Sequence, residues 1–374
     1  MKRSIRNILL LAPLLLIPPA APAQQDLPRD VSPDSRNRLA SIEADAPQGV
    51  AGIRLHGSGV AVRWASPLGR ALTELAILTT AREHDQPYEW SLHELEAVAV
   101  GLDPRVIDVV RNGERLAGLG ERESVIIQLG RELFGEHALS PETYARALSV
   151  LGQTNLVDVV DLMGNYTAVG TRLTAFNQQM PPGWKQFLPL PFTPPDDIQP
   201  DSRSRLPYIP SRAGTAAATP ALYGRSIAPE GTGPGHIRRH GGSLESLEAS
   251  AGRRLMGLAI LVTAREHDSQ YQWTMSELAA LEDGLEPSII DVVRHRRPVN
   301  AIPEEEAALI EFGRELFGEH SVSAQTYARA LEIFGERDLV DFVNLMAQHA
   351  GEATLLTAFD QQLPAGQEPL LPIP

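Results

Sequence analysis

"LAILTTAREHDQPYEWSLHE" occupies residues 75–94, and "LAILVTAREHDSQYQWTMSE" occupies residues 258–277. They are one segment written twice. Sliding the chain along itself by 183 positions aligns 74–180 with 257–363 without a gap. "GRELFGEH" recurs at 130–137 and 313–320, and "TYARAL" at 143–148 and 326–331. "LTAFNQQM" closes the first copy at 173–180, and "LTAFDQQL" closes the second at 356–363. A repeat of this length is a duplicated domain rather than a solenoid unit. A fainter echo lies upstream at a different offset, "PDSRNRL" at 33–39 and "PDSRSRL" at 200–206.

The pattern inside each copy is helical. Ser66-Pro67 reads as an N-cap and first helical residue, followed by Leu68, Leu72, Leu75 and Leu78 at steps of three and four. A break at "HDQP" leads to a second helix from Pro87, and "GLDPRVIDVV" supplies a turn and a further helix start. Ser140-Pro141-Glu142 and Ser321-Val322-Ser323 mark a later helix start in the two copies. No run of alternating β-branched residues competes with this period. The expected fold class is all-α, with two tandem domains of about five to six helices each. The expected boundaries are a signal peptide at 1–23, an irregular segment at 24–59 and a first domain at 60–180. A Pro/Gly-rich linker at 181–243, a second, degenerate domain at 244–363 and a tail at 364–374 complete the chain.

Lys2, Arg3 and Arg6 precede an apolar run from Ile8 to Ile17, and Ala21-Pro22-Ala23 fits a cleavage site. That is the layout of a secretory leader, with a run short for a bilayer span; an uncleaved anchor is the alternative. No later stretch is apolar for long enough to be a membrane helix. The expected location is therefore periplasmic or secreted. The 374 residues contain no cysteine, which removes disulfides, thiolate nucleophiles, thiolate metal sites and lipidation. The net charge of −14 disfavours nucleic acid and anionic lipid as partners, and it becomes more negative if the basic leader is removed.

Between the copies, three ionisable positions change together. Glu74, Glu89 and His93 become Gly257, Gln272 and Ser276. Glu89 and His93 stand four apart on one helix face, and Glu74 sits among Leu75, Ile77 and Leu78, where a lone carboxylate needs a partner. A carboxylate–imidazole–carboxylate set can move protons near neutrality. Two readings of Glu89 stand at this point, because its position also suits a capping box, as does Ser269-x-x-Gln272. His93 can likewise be a plain surface partner of Glu89. His84, Asp85 and His137 recur as His267, Asp268 and His320, which points to shared fold roles. Tyr88 and Trp90 recur as Tyr271 and Trp273, and serve either packing or substrate contact; Tyr166, aligned with His349, is a further substrate-binding candidate. The ten histidines form no metal-binding spacing, so neither a metal nor a cofactor is expected.

Together, "ELAILTTAREHDQPYEWSLHE", "GRELFGEHALSPETYARAL" and "DLMGNYTAVGTRLTAF" resemble the carboxymuconolactone decarboxylase and alkylhydroperoxidase D (AhpD)-like family, over roughly 60–180 and 243–363. Thiol-bearing members carry Glu-x11-Cys-x2-Cys-x3-His. Here that register reads Glu74, Gln86, Glu89 and His93, and in the second copy Gly257, Ser269, Gln272 and Ser276. The resemblance implies an all-helical fold, a homo-oligomer and sites near helix interfaces. Peroxide reduction needs the cysteine pair. The decarboxylase branch, which needs acid–base groups, implies a lyase acting on a small carboxylated or lactone-like substrate, with Glu74, Glu89 and His93 as catalytic residues. A non-catalytic ligand-binding or assembly protein of the same fold is the alternative.

Overall fold

The computed structural model describes residues 27–39, 53, 59–210 and 229–373. The leader, nearly all of 24–59 apart from 27–39, and the middle of the linker lie outside the described residues. All regular structure among them is helical. The first repeat forms α1 (Gly59–Ala65), α2 (Arg70–Glu83), α3 (Pro87–Ala99), α4 (Pro104–Arg111), α5 (Glu121–Gly130), α6 (Pro141–Leu151) and α7 (Gln153–Ala175). α5 runs on into a π-turn at Arg131–Gly135. The linker contributes α8 (Gly233–Arg238). The second repeat follows as α9 (Leu244–Glu266), α10 (Gln270–Glu282), α11 (Pro287–Arg294), α12 (Glu304–Gly318) and α13 (Ala324–Ala358). α9 and α13 each bend at a glycine with positive φ, Gly252 (80°) and Gly335 (73°), where the first repeat has Gly69 and Gly152 between separate helices. Each repeat therefore has more helical pieces than its apolar spacing suggests, because the short α1 and the break at Gly152 leave little trace in that spacing.

The helix starts follow local chemistry. Ser140 accepts from Thr143 N at 3.1 Å and Ser323 from Thr326 N at 3.1 Å, so the aligned serines do the same work. In the second copy the cap is Ser323, not Ser321. Ser66 is not the cap of α2. That helix begins at Arg70, because Gly69 takes φ 91°, and the Ser66 hydroxyl donates to Asp158 Oδ2 at 2.6 Å.

Two buried apolar clusters form, and each draws on both repeats. Leu355, Ala358 and Phe359 at the end of α13 complete the first cluster; Leu173, Ala175 and Phe176 at the end of α7 complete the second. The upstream echo explains this exchange. Arg38 N donates to Phe359 O (2.8 Å), and its guanidinium reaches Ala358 O, Leu139 O and Asp30. Arg205 N donates to Phe176 O (2.9 Å), and its guanidinium reaches Ala175 O, Val322 O and Asp197. The segment leading into each repeat thus clasps the last helix of the other.

α7 and α13 cross at glycines. A Cβ on Gly164 would lie 2.7 Å from Gly351 O, and one on Gly351 would lie 2.6 Å from Gly164 O. Backbone on both sides leaves nothing flexible to step aside. Gly164→Val is expected to lower the unfolding free energy by about 2 kcal/mol, read from the urea midpoint. An unchanged midpoint would mean that the helices do not cross this closely.

Beside the same crossing, four retained histidines meet. His84 and His320 have ring centroids 5.8 Å apart, and His137 and His267 lie 6.0 Å apart. Nδ1 of His84 and of His267 each donates to a backbone carbonyl of its own helix, Thr80 and Thr263, at 2.8 Å. His137 pairs with Asp268 at 3.2 Å and His320 with Asp85 at 3.4 Å, each across the repeats. The four rings line a small cavity of about 30 Å³. Burial, then the facing imidazole, pushes His84 down to about 3 and His267 down to about 4.

Candidate functional site

The turn between α2 and α3 explains which part of the opening segment both copies keep. Asp85 sits at φ 46° and is held by Arg82 at 2.7 Å; Asp268 sits at φ 48° and is held by Arg265 at 2.6 Å. Gln86 then caps α3, accepting from Tyr88 N at 3.0 Å, with Pro87 at the first helical position. The turn folds α3 back on α2, which sets Glu74 beside His93.

Glu74 is completely buried. Its Oε2 accepts from His93 Nδ1 at 2.7 Å, and its Oε1 accepts from Arg63 Nε at 3.0 Å and Arg70 Nη2 at 2.6 Å. Glu96 closes the network, pairing with Arg63 and, at 3.2 Å, with Arg70. On the other side of the imidazole, His93 Nε2 lies 3.2 Å from Glu89 Oε1. Burial alone would raise the Glu74 carboxyl. The His93 charge and hydrogen bond, with Arg63 and Arg70, outweigh burial and hold the group at about 2. Burial and the Arg63 charge oppose protonation of His93, yet Glu74 and the bonds to both carboxylates raise it above the ordinary imidazole value. The result is an ionised carboxylate that fixes the tautomer, a basic imidazole, and a second carboxylate.

Glu89 closes no capping box. The donor it would need, Gln86 N, is spent on Ala81 O at 2.8 Å, so its carboxylate turns to His93 instead. Glu89 Oε2 is buried without a hydrogen-bond partner among the described residues. Such an atom is costly unless something arrives to meet it. His93 and Glu89 border a cleft of about 670 Å³, whose wall also includes Tyr88, Asn165, Tyr166, Arg172 and Arg238.

The three aromatic candidates part company. Tyr166 lines the cleft and meets the His93 ring edge-on at 5.0 Å. Tyr88 also lines it, but its hydroxyl bonds Thr232 Oγ1 at 2.5 Å and so ties α3 to the start of α8. Trp90 is fully buried, with Nε1 donating to Glu94 Oε2 at 2.6 Å, and Trp273 repeats this bond with Glu277 at 2.6 Å. That placement makes Trp90 part of the core.

The second repeat fills the equivalent space. A Cβ on Gly257 would already be 3.1 Å from Ala280 Cβ, and the Gln272 amide donates to His349 O at 2.9 Å. Arg63 and Glu96 correspond to Ser246 and Ala279, while Arg253, the counterpart of Arg70, is largely exposed. The whole charged network has gone, not only the three positions the sequence singled out. Among the described residues, no group of three or more His, Asp or Glu side chains is placed to hold a metal ion, and no helix is long and apolar enough to cross a membrane. Compared with known proteins, the chain matches no family, no curated protein and no solved structure.

Proposed function

We propose that the first repeat is a thiol-free acid–base centre of the carboxymuconolactone decarboxylase type, acting on a small carboxylated or lactone-like molecule. The observation that carries this reading is the chain Glu74–His93–Glu89, ending beside the cleft at a carboxylate oxygen with no partner among the described residues. Ionised Glu74 takes the Nδ1 proton of His93 as a hydrogen bond and leaves Nε2 to exchange protons with Glu89 or with a ligand. Loss of carbon dioxide from such a substrate leaves an enolate, which a positioned acid must protonate. His93 is the proton donor, Glu74 holds and tunes it, and Glu89 accepts or relays. The leader pattern supports reading this as the chemistry of an exported protein.

The competing reading is a ligand-binding or assembly protein in which the ions only brace α1, α2 and α3. Burial of Glu74 between Arg63 and Arg70 favours it. Turnover separates the two. On a panel of lactone carboxylates, His93→Gln and Glu89→Gln are each expected to lower kcat about 10²–10⁴-fold, with melting nearly unchanged. Equal turnover by wild type and His93→Gln would remove the acid–base reading; an inert wild type would leave the binding one.

A further inference from the structure

The cleft has a second charged feature, away from the imidazole. Three arginines border it: Arg63, Arg172 and Arg238. The charge of Arg63 is matched by Glu74 and Glu96. The other two have no such match. Arg172 Nε donates to Asn344 Oδ1 at 2.8 Å and Nη1 to Ala168 O at 2.7 Å, both neutral acceptors. Those bonds fix the guanidinium plane and leave Nη2 without an acceptor among the described residues. Arg238, at the cleft rim, has no ion pair among the described residues. Burial and the nearby Arg238 charge push Arg172 down to about 10, as two cations without an acid between them would.

We propose that Arg172 and Arg238 form an anion subsite, built by the connection between the repeats, whose ligand is a small organic carboxylate. This rests on the acid–base reading of His93 and Glu89, and it names the class of molecule that centre receives. Fixed guanidinium donors suit a planar carboxylate, which accepts two parallel hydrogen bonds. Arg238 is carried by α8, and α8 is seated by the first repeat. Thr232 Oγ1 donates to Pro229 O at 2.7 Å, so the Tyr88 hydroxyl donates to Thr232. Gly233 N donates to Gln178 Oε1 at 3.0 Å; at φ 76°, a Cβ here would lie 3.2 Å from the Tyr88 hydroxyl. The second repeat lacks the subsite as it lacks the acid–base set: Leu355 aligns with Arg172 and is buried in the first apolar cluster. Of the two subsite arginines, the duplicated sequence keeps one, Arg54 for Arg238, and loses Arg172 together with Glu74, Glu89 and His93.

Calorimetric titration of the whole protein with glutarate tests this without any need for turnover, using neutral glutaramide and inorganic phosphate as comparison ligands. Glutarate is expected to bind and glutaramide is not. Arg172→Met is expected to weaken glutarate about tenfold and Arg238→Met about threefold, while Arg172→Lys, which keeps the charge but not the two-donor plane, falls between wild type and Arg172→Met with an unchanged melting temperature. Arg253→Met, on the exposed face of the second repeat, is expected to leave affinity unchanged. Equal glutarate affinity in Arg172→Met and wild type would overturn the subsite; so would a wild type blind to glutarate, or one preferring phosphate. A catalytically silent protein that still shows the expected affinities would sink the acid–base reading and leave the subsite standing.

Discussion

Glu74→Gln is expected to lower the unfolding free energy by about 3–5 kcal/mol at neutral pH, measured by urea or guanidinium denaturation. The glutamine fits the space but removes the charge that three cationic groups face. Arg63 and Arg70 would be left with Glu96 alone, and His93 with Glu89 alone. The pH dependence expected from the same contacts has the same magnitude. Glu74 is held at about 2 against 4.5 in the unfolded chain, so it contributes stability above pH 4.5, which is lost as pH falls through about 2. That difference corresponds to about 3 kcal/mol. His93 titrates the opposite way: its raised value adds stability that is fully present below 6.5 and is lost as pH rises through the folded value. In Glu74→Gln the His93 titration, followed by NMR, is expected to fall below 6.5, since burial and Arg63 then dominate. A loss under about 1 kcal/mol with an unmoved His93 would show that the network is loosely held.

The second repeat predicts that removing Arg63, Glu74 and Glu96 together is milder than removing the Glu74 charge alone. It folds with Ser246, Gly257 and Ala279 where the first has Arg63, Glu74 and Glu96. The combined variant Arg63→Ser, Glu74→Leu, Glu96→Ala is therefore expected to lie closer to wild type than Glu74→Gln does. A buried cation without its partner costs more than an apolar site of similar volume.

What could be read in advance was whatever has a local period or a second copy to compare. The repeat exposed the helices, the serine caps and the loss of Glu74, Glu89 and His93. The same comparison shows Arg63 and Glu96 becoming Ser246 and Ala279, so these partners were legible and were passed over. Nothing in its local sequence sets Glu96 apart from the other helix charges, and Arg63 lies ahead of the aligned block. The capping reading of Glu89 failed for a reason invisible in sequence, because Ala81 O had already taken the donor. The echo at 33–39 and 200–206 was visible, but not its destination on the opposite repeat. Arg238 matches Arg54 in sequence, since "IRRHG" at 237–241 echoes "IRLHG" at 53–57, but that echo runs at an offset of 184 and stands outside the aligned block. Long-range contacts such as Arg205 to Val322 O have no periodic signature.

The histidine cavity gives the other large effect. Lowering the pH from about 6.5 to about 4.5 is expected to cost about 3–5 kcal/mol of stability. His84 and His267 are ordinary imidazoles in the unfolded chain, at 6.5, but burial and the facing rings hold them at about 3 and about 4 when folded. Below 6.5 the unfolded state therefore binds more protons, and stability falls with pH at about 1.4 kcal/mol per unit for each fully neutral ring. The window separates this effect from the Glu74–His93 network, because Glu74 loses stability only below 4.5 and the His93 contribution is complete by 6.5. Glu83, raised by burial, works in the opposite sense and trims the loss. Glu83 and Glu266 line the cavity with the rings, and Asp85 and Asp268 pair with His320 and His137, so added positive charge meets acidic groups from both repeats. The double variant His84→Gln, His267→Gln is expected to flatten the pH slope of the urea midpoint; an identical slope would mean the rings stay solvated enough to titrate normally. The consequence reaches the cleft, since α7 supplies Asn165 and Arg172 to its wall and α13 supplies Asn344 and Gln348. Acid that loosens the seam between these helices draws Asn344, which fixes Arg172, away from the His93 side of the cleft, so glutarate affinity is expected to fall along with the urea midpoint, and to return with it on neutralisation.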